Sequence, residues 1–207
     1  MTDLVLVRHG ETVWHAENRY AGISDVELTP RGREQAAELA SWASGAGLAA
    51  VWASTLSRAV ITAETAAAKA GLSVRTDARL RELDFGQGEG LTSAEMKERF
   101  PEARAAFEAD PAAHPLPGGE DPYAAAARFV AALGDIAAVH AGGRVLVVAH
   151  TTAIRLSLCR LLGLPLGEYR RLFPRLDNCA LTELRLDEAG TGRVSLLQYN
   201  SPIGAVR

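Results

Sequence analysis

The sequence predicts an α/β fold: a three-layer α/β/α arrangement around a mainly parallel central sheet, with a small, partly helical cap inserted at about residues 84–122 of a single domain spanning 1–207. Three observations predict it. "LVLV" (4–7) and "VLVV" (145–148) are continuous apolar runs, the pattern of strands buried on both faces of a parallel sheet. Helical periodicities separate these runs from one another. The segment between Asp84 and Pro122 breaks the alternation with clusters of glycine, proline and charge.

The elements follow in order. After the first strand, residues 13–28 read as a long loop. Thr29-Pro30 supplies an N-cap and a first-turn proline for a helix over "RGREQAAELASWAS". "AAVWAS" (49–54) is a second strand, and "LSRAVITAETAAAKAG" a second helix with Gly71 as its C-cap. A short strand and its exit occupy 73–83. In the insert, Thr92 and Glu95 have capping-box spacing for a short helix, and "ADPAAHPLPGGEDP" is a loop. A long helix runs from Pro122 to about His140, with Phe129, Val130, Leu133 and Ile136 at helical spacing. "RVLVVAH" is a buried strand, "AIRLSLCRLLG" a helix, and "CALTELRL" and "RVSLLQYN" form a hairpin across a glycine-containing turn.

Composition narrows the function classes. With 207 residues, 19 Gly, 9 Pro and nearly half its residues hydrophobic, the chain fits an ordinary soluble domain. A net charge of −3 argues against a nucleic-acid partner. No signal peptide is recognisable at the N-terminus and no apolar run approaches the length that spans a membrane, so a cytoplasmic protein without membrane contact is expected. Cys159 and Cys179 have no metal-site spacing and read as small buried hydrophobes in a reducing compartment. Lys69 and Lys97 are the only lysines, so nearly all positive charge is arginine, whose planar fork suits phosphate and carboxylate.

Ligands of open α/β sheets bind outside the carboxyl ends of the strands. "LVLVRH" delivers Arg8 and His9 there, "VLVVAH" delivers His150, "STLSR" delivers Arg58 and "LRELDFG" delivers Glu82. Two histidines at equivalent strand ends, arginines beside them and a lone carboxylic acid point to an anionic, phosphate-bearing ligand. "GQGEG" neither leaves the first strand nor opens a long helix, so it is no dinucleotide fingerprint. "HGE" lacks the companion cysteines of a zinc site, and no HExxH occurs.

"RHGET" after a strand, "STLSRAVITA", "LRELDFGQGEG", "PGGE" and a late strand ending in histidine together resemble the histidine phosphatase superfamily, also called phosphoglycerate-mutase-like. The motifs fall in the family's order and span residues 4 to about 155. The resemblance implies that His9 is a nucleophile that becomes phosphohistidine, that Arg8, Arg58 and His150 surround the phosphoryl oxygens, and that Glu82 is the proton donor. It also implies ligand contacts from the loop after the RHG motif, here Gly10, Glu11, Thr12 and His15, and around Ala21-Gly22, with Thr151 beside the second histidine. Arginine cations would hold His9 neutral, and a dianionic phosphate would raise the pKa of Glu82. No cofactor or metal is implied, because arginine and histidine supply the positive charge.

The family holds phosphatases and mutases. Mutases of the phosphoglycerate type follow the acid with Arg-His-Tyr, whereas Glu82 is followed by Leu83, Asp84 and Phe85. The insert carries Lys97, Arg99 and Arg104 but no Arg-Arg pair. A phosphatase of the small-phosphatase branch acting on small phosphorylated metabolites, monomeric or homodimeric, is expected ahead of a cofactor-dependent mutase. A catalytically inactive phospho-ligand-binding protein stands further back, because all five central residues are retained. Three positions depart from the family pattern. His15 replaces an asparagine, Thr151 replaces a glycine and either touches phosphate or caps the next helix, and Ser54-Thr55 replaces Ser-Pro. Phe85, Phe100, Phe107 and Trp14 either wall the leaving group or pack beneath the cap. Glu120 of "PGGE" reads as a turn or cap residue.

Overall fold

The computed structural model describes residues 1–187 and 193–204. Six strands form one sheet: β1 (Thr2–Arg8), β2 (Ala50–Ala53), β3 (Val74–Thr76), β4 (Arg144–Ala149), β5 (Leu181–Leu186) and β6 (Val194–Ser201), in the order β3-β2-β4-β1-β5-β6. The first four are mutually parallel, and β5 and β6 extend the sheet antiparallel beyond β1. The turn expected between β5 and β6 lies outside the described residues.

Strand alternation sorts the layers. From β1, Val5 and Val7 face one way and join Leu146 and Val148 of β4. They pack against α1 (Pro30–Ala43) and α2 (Ser57–Ala70) through Leu39, Ala59, Ala63 and Ala66. Leu4 and Leu6 face the other way with Val145 and Val147. They meet α5 (Pro122–Val139) and α6 (Thr151–Leu161) through Phe129, Leu133, Ile136, Ile154 and Leu158. Because both faces are covered, β1 is apolar without interruption over 4–7 and β4 over 145–149.

Helix ends follow the caps read from sequence. The Thr29 side chain accepts from the Gly32 N–H and Pro30 opens α1, while Gly71 closes α2 at φ 70°. The insert holds a one-turn 3-10 stretch (Gly86–Gly88), α3 (Ser93–Arg99) and α4 (Pro101–Ala109), so it carries two helices where one was expected. The Thr92–Glu95 capping box at α3 is complete. Phe85, Met96, Phe107 and Leu116 join the larger core cluster and tie the insert down.

Two expectations need correction. The α5 segment is 18 residues long with mean hydropathy 1.3, enough by length and composition to cross a membrane, because it is rich in alanine and carries only Arg128 and Asp135 as charged residues. In this fold its Phe129, Leu133 and Ile136 are buried in the core. A short helix, α7 (Tyr169–Leu172), also follows α6 where no element was expected. Four residues give no periodicity to read.

Candidate active site

The carboxyl ends of β1, β2 and β4 converge, and the chain placed there is held by backbone bonds. The His9 N–H donates to the Ala149 carbonyl (3.1 Å), which locks the residue after β1 to the end of β4. The Asn178 amide nitrogen donates to the His9 carbonyl (2.7 Å) and the Cys179 N–H to the Arg8 carbonyl (2.9 Å). Cys179 reaches this position at φ 60°, a left-handed conformation uncommon for a residue with a side chain.

His9 is buried and its tautomer follows from its neighbours. Nδ1 lies 2.7 Å from the Gly10 carbonyl oxygen, which can only accept, so Nδ1 carries the proton. Nε2 is the lone-pair nitrogen and accepts from Arg58 Nε at 3.2 Å. Burial lowers the His9 pKa well below 6.5, and Arg58 and Arg8 lower it further. The arginine effect expected from sequence is therefore present but second to desolvation.

Arg58 is fully buried on the first turn of α2. Its Nη1 donates to the Ser24 carbonyl (2.7 Å) and its Nη2 to that of Gly22 (2.6 Å). The loop that supplies these carbonyls is itself gathered by Glu89. The carboxylate of Glu89 accepts from the backbone N–H groups of Gly22, Ile23, Ser24 and Phe85, and from the Ser24 hydroxyl (2.6 Å). A Cβ on Gly22 would meet the Leu83 carbonyl oxygen at 2.3 Å, so only glycine fits there.

His150 ends β4 with its ring centroid 5.1 Å from that of His9. Its Nε2 pairs with the Ser54 hydroxyl (2.6 Å), and its buried Nδ1 has no hydrogen-bond partner within the protein. Burial, then Arg58, holds its pKa well below 6.5.

Glu82 is anchored at the N-terminus of α6. Its Oε1 accepts from the N–H groups of Leu83 (2.9 Å) and Ala153 (2.8 Å), and its Oε2 from that of Thr152 (2.9 Å). These bonds favour the anion, as does the helix terminus. Burial outweighs them and raises the Glu82 pKa above 4.5. With two donors on Oε1 and one on Oε2, Oε2 is the atom left to carry a proton. Arg128 fixes the backbone here: its Nη2 donates to the Glu82 carbonyl (2.9 Å) while Glu120 holds its Nε (2.7 Å). Glu120 thus serves as a structural anchor.

The open part of the site is a cavity of about 360 Å³. Arg8, His9, Thr12, His15, Ala21, Glu82 and Thr151 line it, together with Asn18, Arg19, Tyr20, Phe85, Thr152, Arg155, Tyr169 and Arg170. Arg58 and His150 are not part of this lining; Arg58 reaches the site through its contact with His9 Nε2 and His150 through its ring beside that of His9. Three residues expected to contact the ligand also lie off the lining. Gly10 packs on α1, where a Cβ would meet the Gly32 carbonyl oxygen at 2.4 Å. The Glu11 carboxylate accepts from the Thr29 hydroxyl (2.7 Å), and Gly22 carries Arg58.

His15 faces Arg8. A guanidinium can only donate, so His15 Nε2 accepts from Arg8 Nη2 (2.5 Å), while Nδ1 meets the Thr12 N–H (3.0 Å) and the Thr12 hydroxyl (2.8 Å). Burial and Arg8 lower its pKa to about 4. Thr151 opens α6 from the cavity wall; the cap residue is His150, without a side-chain capping bond, and Glu82 takes up the free N–H groups instead. Among the four aromatics, Phe85 reaches the cavity wall, Phe107 is buried, Phe100 packs against the core and Trp14 lies over Gly90.

Residues 4–200 match the family model described as Histidine phosphatase superfamily (branch 1). The chain belongs to this superfamily. Among its relatives, the protein named "Probable phosphoglycerate mutase GpmB" from Salmonella paratyphi B is 35% identical over 189 residues, covering 91% of this chain and 87% of that one. The solved structure of Bacillus stearothermophilus YhfR superposes with a TM-score of 0.90 at 30% identity, covering 98% of both chains. A mycobacterial glucosyl-3-phosphoglycerate phosphatase gives a TM-score of 0.86 at 30% identity, covering 97% of this chain and 99% of the other. This member of the superfamily therefore has neighbours named as phosphatases and relatives named as mutases.

Sequence reasoning missed Ser54, Glu89, Asn178, Arg128, Arg155, Tyr169 and Arg170 as parts of the site. Asn178, Tyr169 and Arg170 come from segments far along the chain, and their local sequence carries no motif.

Proposed function

We propose that this histidine phosphatase hydrolyses small phosphomonoesters through a phosphohistidine on His9. The observation that carries the reading is the buried His9 imidazole, proton on Nδ1 and lone pair on Nε2, set between Arg8, Arg58 and His150. Nε2 attacks phosphorus as the bond to the leaving oxygen breaks. Glu82, whose pKa burial raises above 4.5, gives its proton to that oxygen. Arg8, Arg58 and His150 stabilise the phosphoryl oxygens of a loose transition state. Water then attacks phosphorus, the P–Nε2 bond breaks, and the Glu82 carboxylate takes a proton from the water, which regenerates the enzyme and releases inorganic phosphate.

Metal independence belongs to the same reading, since the positive charge comes from side chains. Cytoplasmic residence is supported by Cys159 and Cys179, both buried free thiols. The deciding test is phosphate release from p-nitrophenyl phosphate and 3-phosphoglycerate with EDTA present, by wild type and His9→Ala, alongside conversion of 3- to 2-phosphoglycerate with a bisphosphate primer. Release that vanishes in the variant supports the phosphatase, isomerisation without net release would install the mutase, and loss of activity restored by added metal would remove the metal-free mechanism.

A further inference from the structure

His150 has one ring nitrogen tied and the other without a protein partner. β2 and β4 are parallel neighbours in which Ala53 pairs with Val148, so Ser54, the residue after β2, comes alongside the end of β4. The Ser54 N–H donates to the Val148 carbonyl (3.1 Å), which fixes it against the neighbouring strand. Its hydroxyl oxygen, fully buried, meets His150 Nε2 at 2.6 Å and accepts from the Leu56 N–H at 3.3 Å. His150 Nδ1 is buried and has no hydrogen-bond partner among the described residues.

A neutral His150 has two tautomers, and the hydrogens in reach separate them. With the proton on Nε2, the imidazole donates to Ser54. The hydroxyl hydrogen then has no acceptor among the described residues, and Nδ1 is left as a buried, bare lone pair. With the proton on Nδ1, the hydroxyl donates to Nε2 while its oxygen still accepts from Leu56, so only the Nδ1–H is without a partner. The second arrangement strands one buried polar group and the first strands two, which favours the second. A hydroxyl is also a neutral partner. A carboxylate in its place would call for an Nε2–H and favour the imidazolium, whereas Arg58, Arg8 and Arg128 all act on His150 against a further positive charge.

We propose that Ser54 is a positioning residue that holds His150 in its Nδ1–H tautomer, so that a preformed neutral donor meets a phosphoryl oxygen of the ester. The proposal rests on the phosphohistidine reading and adds a residue to it. A buried donor without a protein acceptor, on a ring whose centroid lies 5.1 Å from that of His9, suits an oxygen that the ligand brings. The other tautomer would turn a lone pair towards that oxygen and repel it. A donor fixed before the ester arrives needs no reorganisation as charge develops. Ser54 acts through His150, because its hydroxyl is taken up by His150 and Leu56.

The test reads the tautomer directly. Two-bond proton–nitrogen correlation spectra of the full chain, labelled in histidine nitrogen, report which ring nitrogen carries the proton, and His150→Gln assigns its signals among the five histidines. Wild type is expected to show His150 protonated on Nδ1 and bare on Nε2 at neutral pH, and inorganic phosphate is expected to shift the Nδ1 signal. A proton on Nε2, an imidazolium, or an Nδ1 signal that phosphate leaves unmoved would overturn the proposal. These spectra need no Ser54 variant to fold. In Ser54→Ala the single tautomer gives way to a mixture, and kcat on p-nitrophenyl phosphate falls about tenfold with KM little changed, the scale of one hydrogen bond. Ser54→Thr, which keeps the hydroxyl, restores both. Lost activity with the Nδ1–H tautomer intact would show that Ser54 acts by packing alone, and unchanged kcat in Ser54→Ala would equally contradict the proposal. If wild type releases no phosphate from p-nitrophenyl phosphate, the phosphatase reading has failed on its own, and the tautomer with its phosphate-induced shift still decides the role of Ser54.

Discussion

Arg58 Nε stands 3.2 Å from His9 Nε2, the nitrogen of that ring without a proton. The guanidinium adds to burial in lowering the His9 pKa, and in the proposed mechanism it is the group that meets the phosphoryl oxygens. Its other nitrogens are spent on the carbonyls of Gly22 and Ser24, so its position is set before any ligand arrives. Arg58→Lys keeps a charge but loses the fork. Its kcat/KM should fall by about 10²–10³-fold, the usual scale for a lost charge-stabilising group, which steady-state assays on p-nitrophenyl phosphate would read. A loss below tenfold would remove Arg58 from the phosphoryl pocket.

Burial pushes the pKa of His9 down and that of Glu82 up, so the neutral imidazole and the protonated carboxyl coexist between the two values. The activity profile should be bell-shaped, with Glu82 setting its alkaline limb. Glu82→Gln should cost an alkyl phosphate about 10²–10⁴-fold in kcat, the range of general acid catalysis, and cost p-nitrophenyl phosphate less, because nitrophenolate leaves without a proton. Equal losses on both esters would assign Glu82 a different role.

The same shifts act on stability. His9, His150 and His15 have folded pKa values below 6.5, about 4 for His15, so the unfolded chain binds more protons as the pH falls through 6.5. Their contribution is complete above pH 6.5 and declines between 6.5 and the folded values. Glu82, raised above 4.5, acts in the opposite sense, its contribution being complete below 4.5 and lost as the pH rises through its folded value. With three groups against one, thermal melts should give a lower Tm at pH 5 than at pH 7.5. His15→Asn should narrow that gap, and an unchanged gap would show that His15 titrates normally.

Glu89 does not itself line the cavity, yet it holds the N–H groups of Gly22, Ile23 and Ser24 whose segment carries Arg58. Glu89→Ala should destabilise the fold by about 2 kcal/mol, as expected for partly buried donors left unpaired. It should also lower kcat as Arg58 loosens, with Glu89→Gln intermediate. Denaturant titration and kinetics on the same samples check both. Full stability in Glu89→Ala would show that the loop stands without it.

The layers were legible because β1 and β4 are short, uninterrupted apolar runs, and the caps at Thr29, Gly71 and Thr92 mark helix ends chemically. The residues at the strand ends were legible for the same reason: a strand fixes where its last side chain goes. Arg155, Arg170 and Asn178 were not, because tertiary folding alone carries α6, α7 and the segment before β5 to His9. Gly10 and Glu11 were read as ligand contacts from their place in the motif. A single sequence does not show the close approach of α1, against which Gly10 packs while the Glu11 carboxylate accepts from the Thr29 hydroxyl.

The central claim is covalent chemistry at His9. Rapid acid-free quenching of Glu82→Gln with p-nitrophenyl phosphate, followed by intact mass and peptide mapping, tests it most directly. The account predicts one added phosphoryl group, on His9, absent in His9→Ala. Phosphate release at the wild-type rate by His9→Ala, or a phosphoryl group mapped to any other residue, would contradict it.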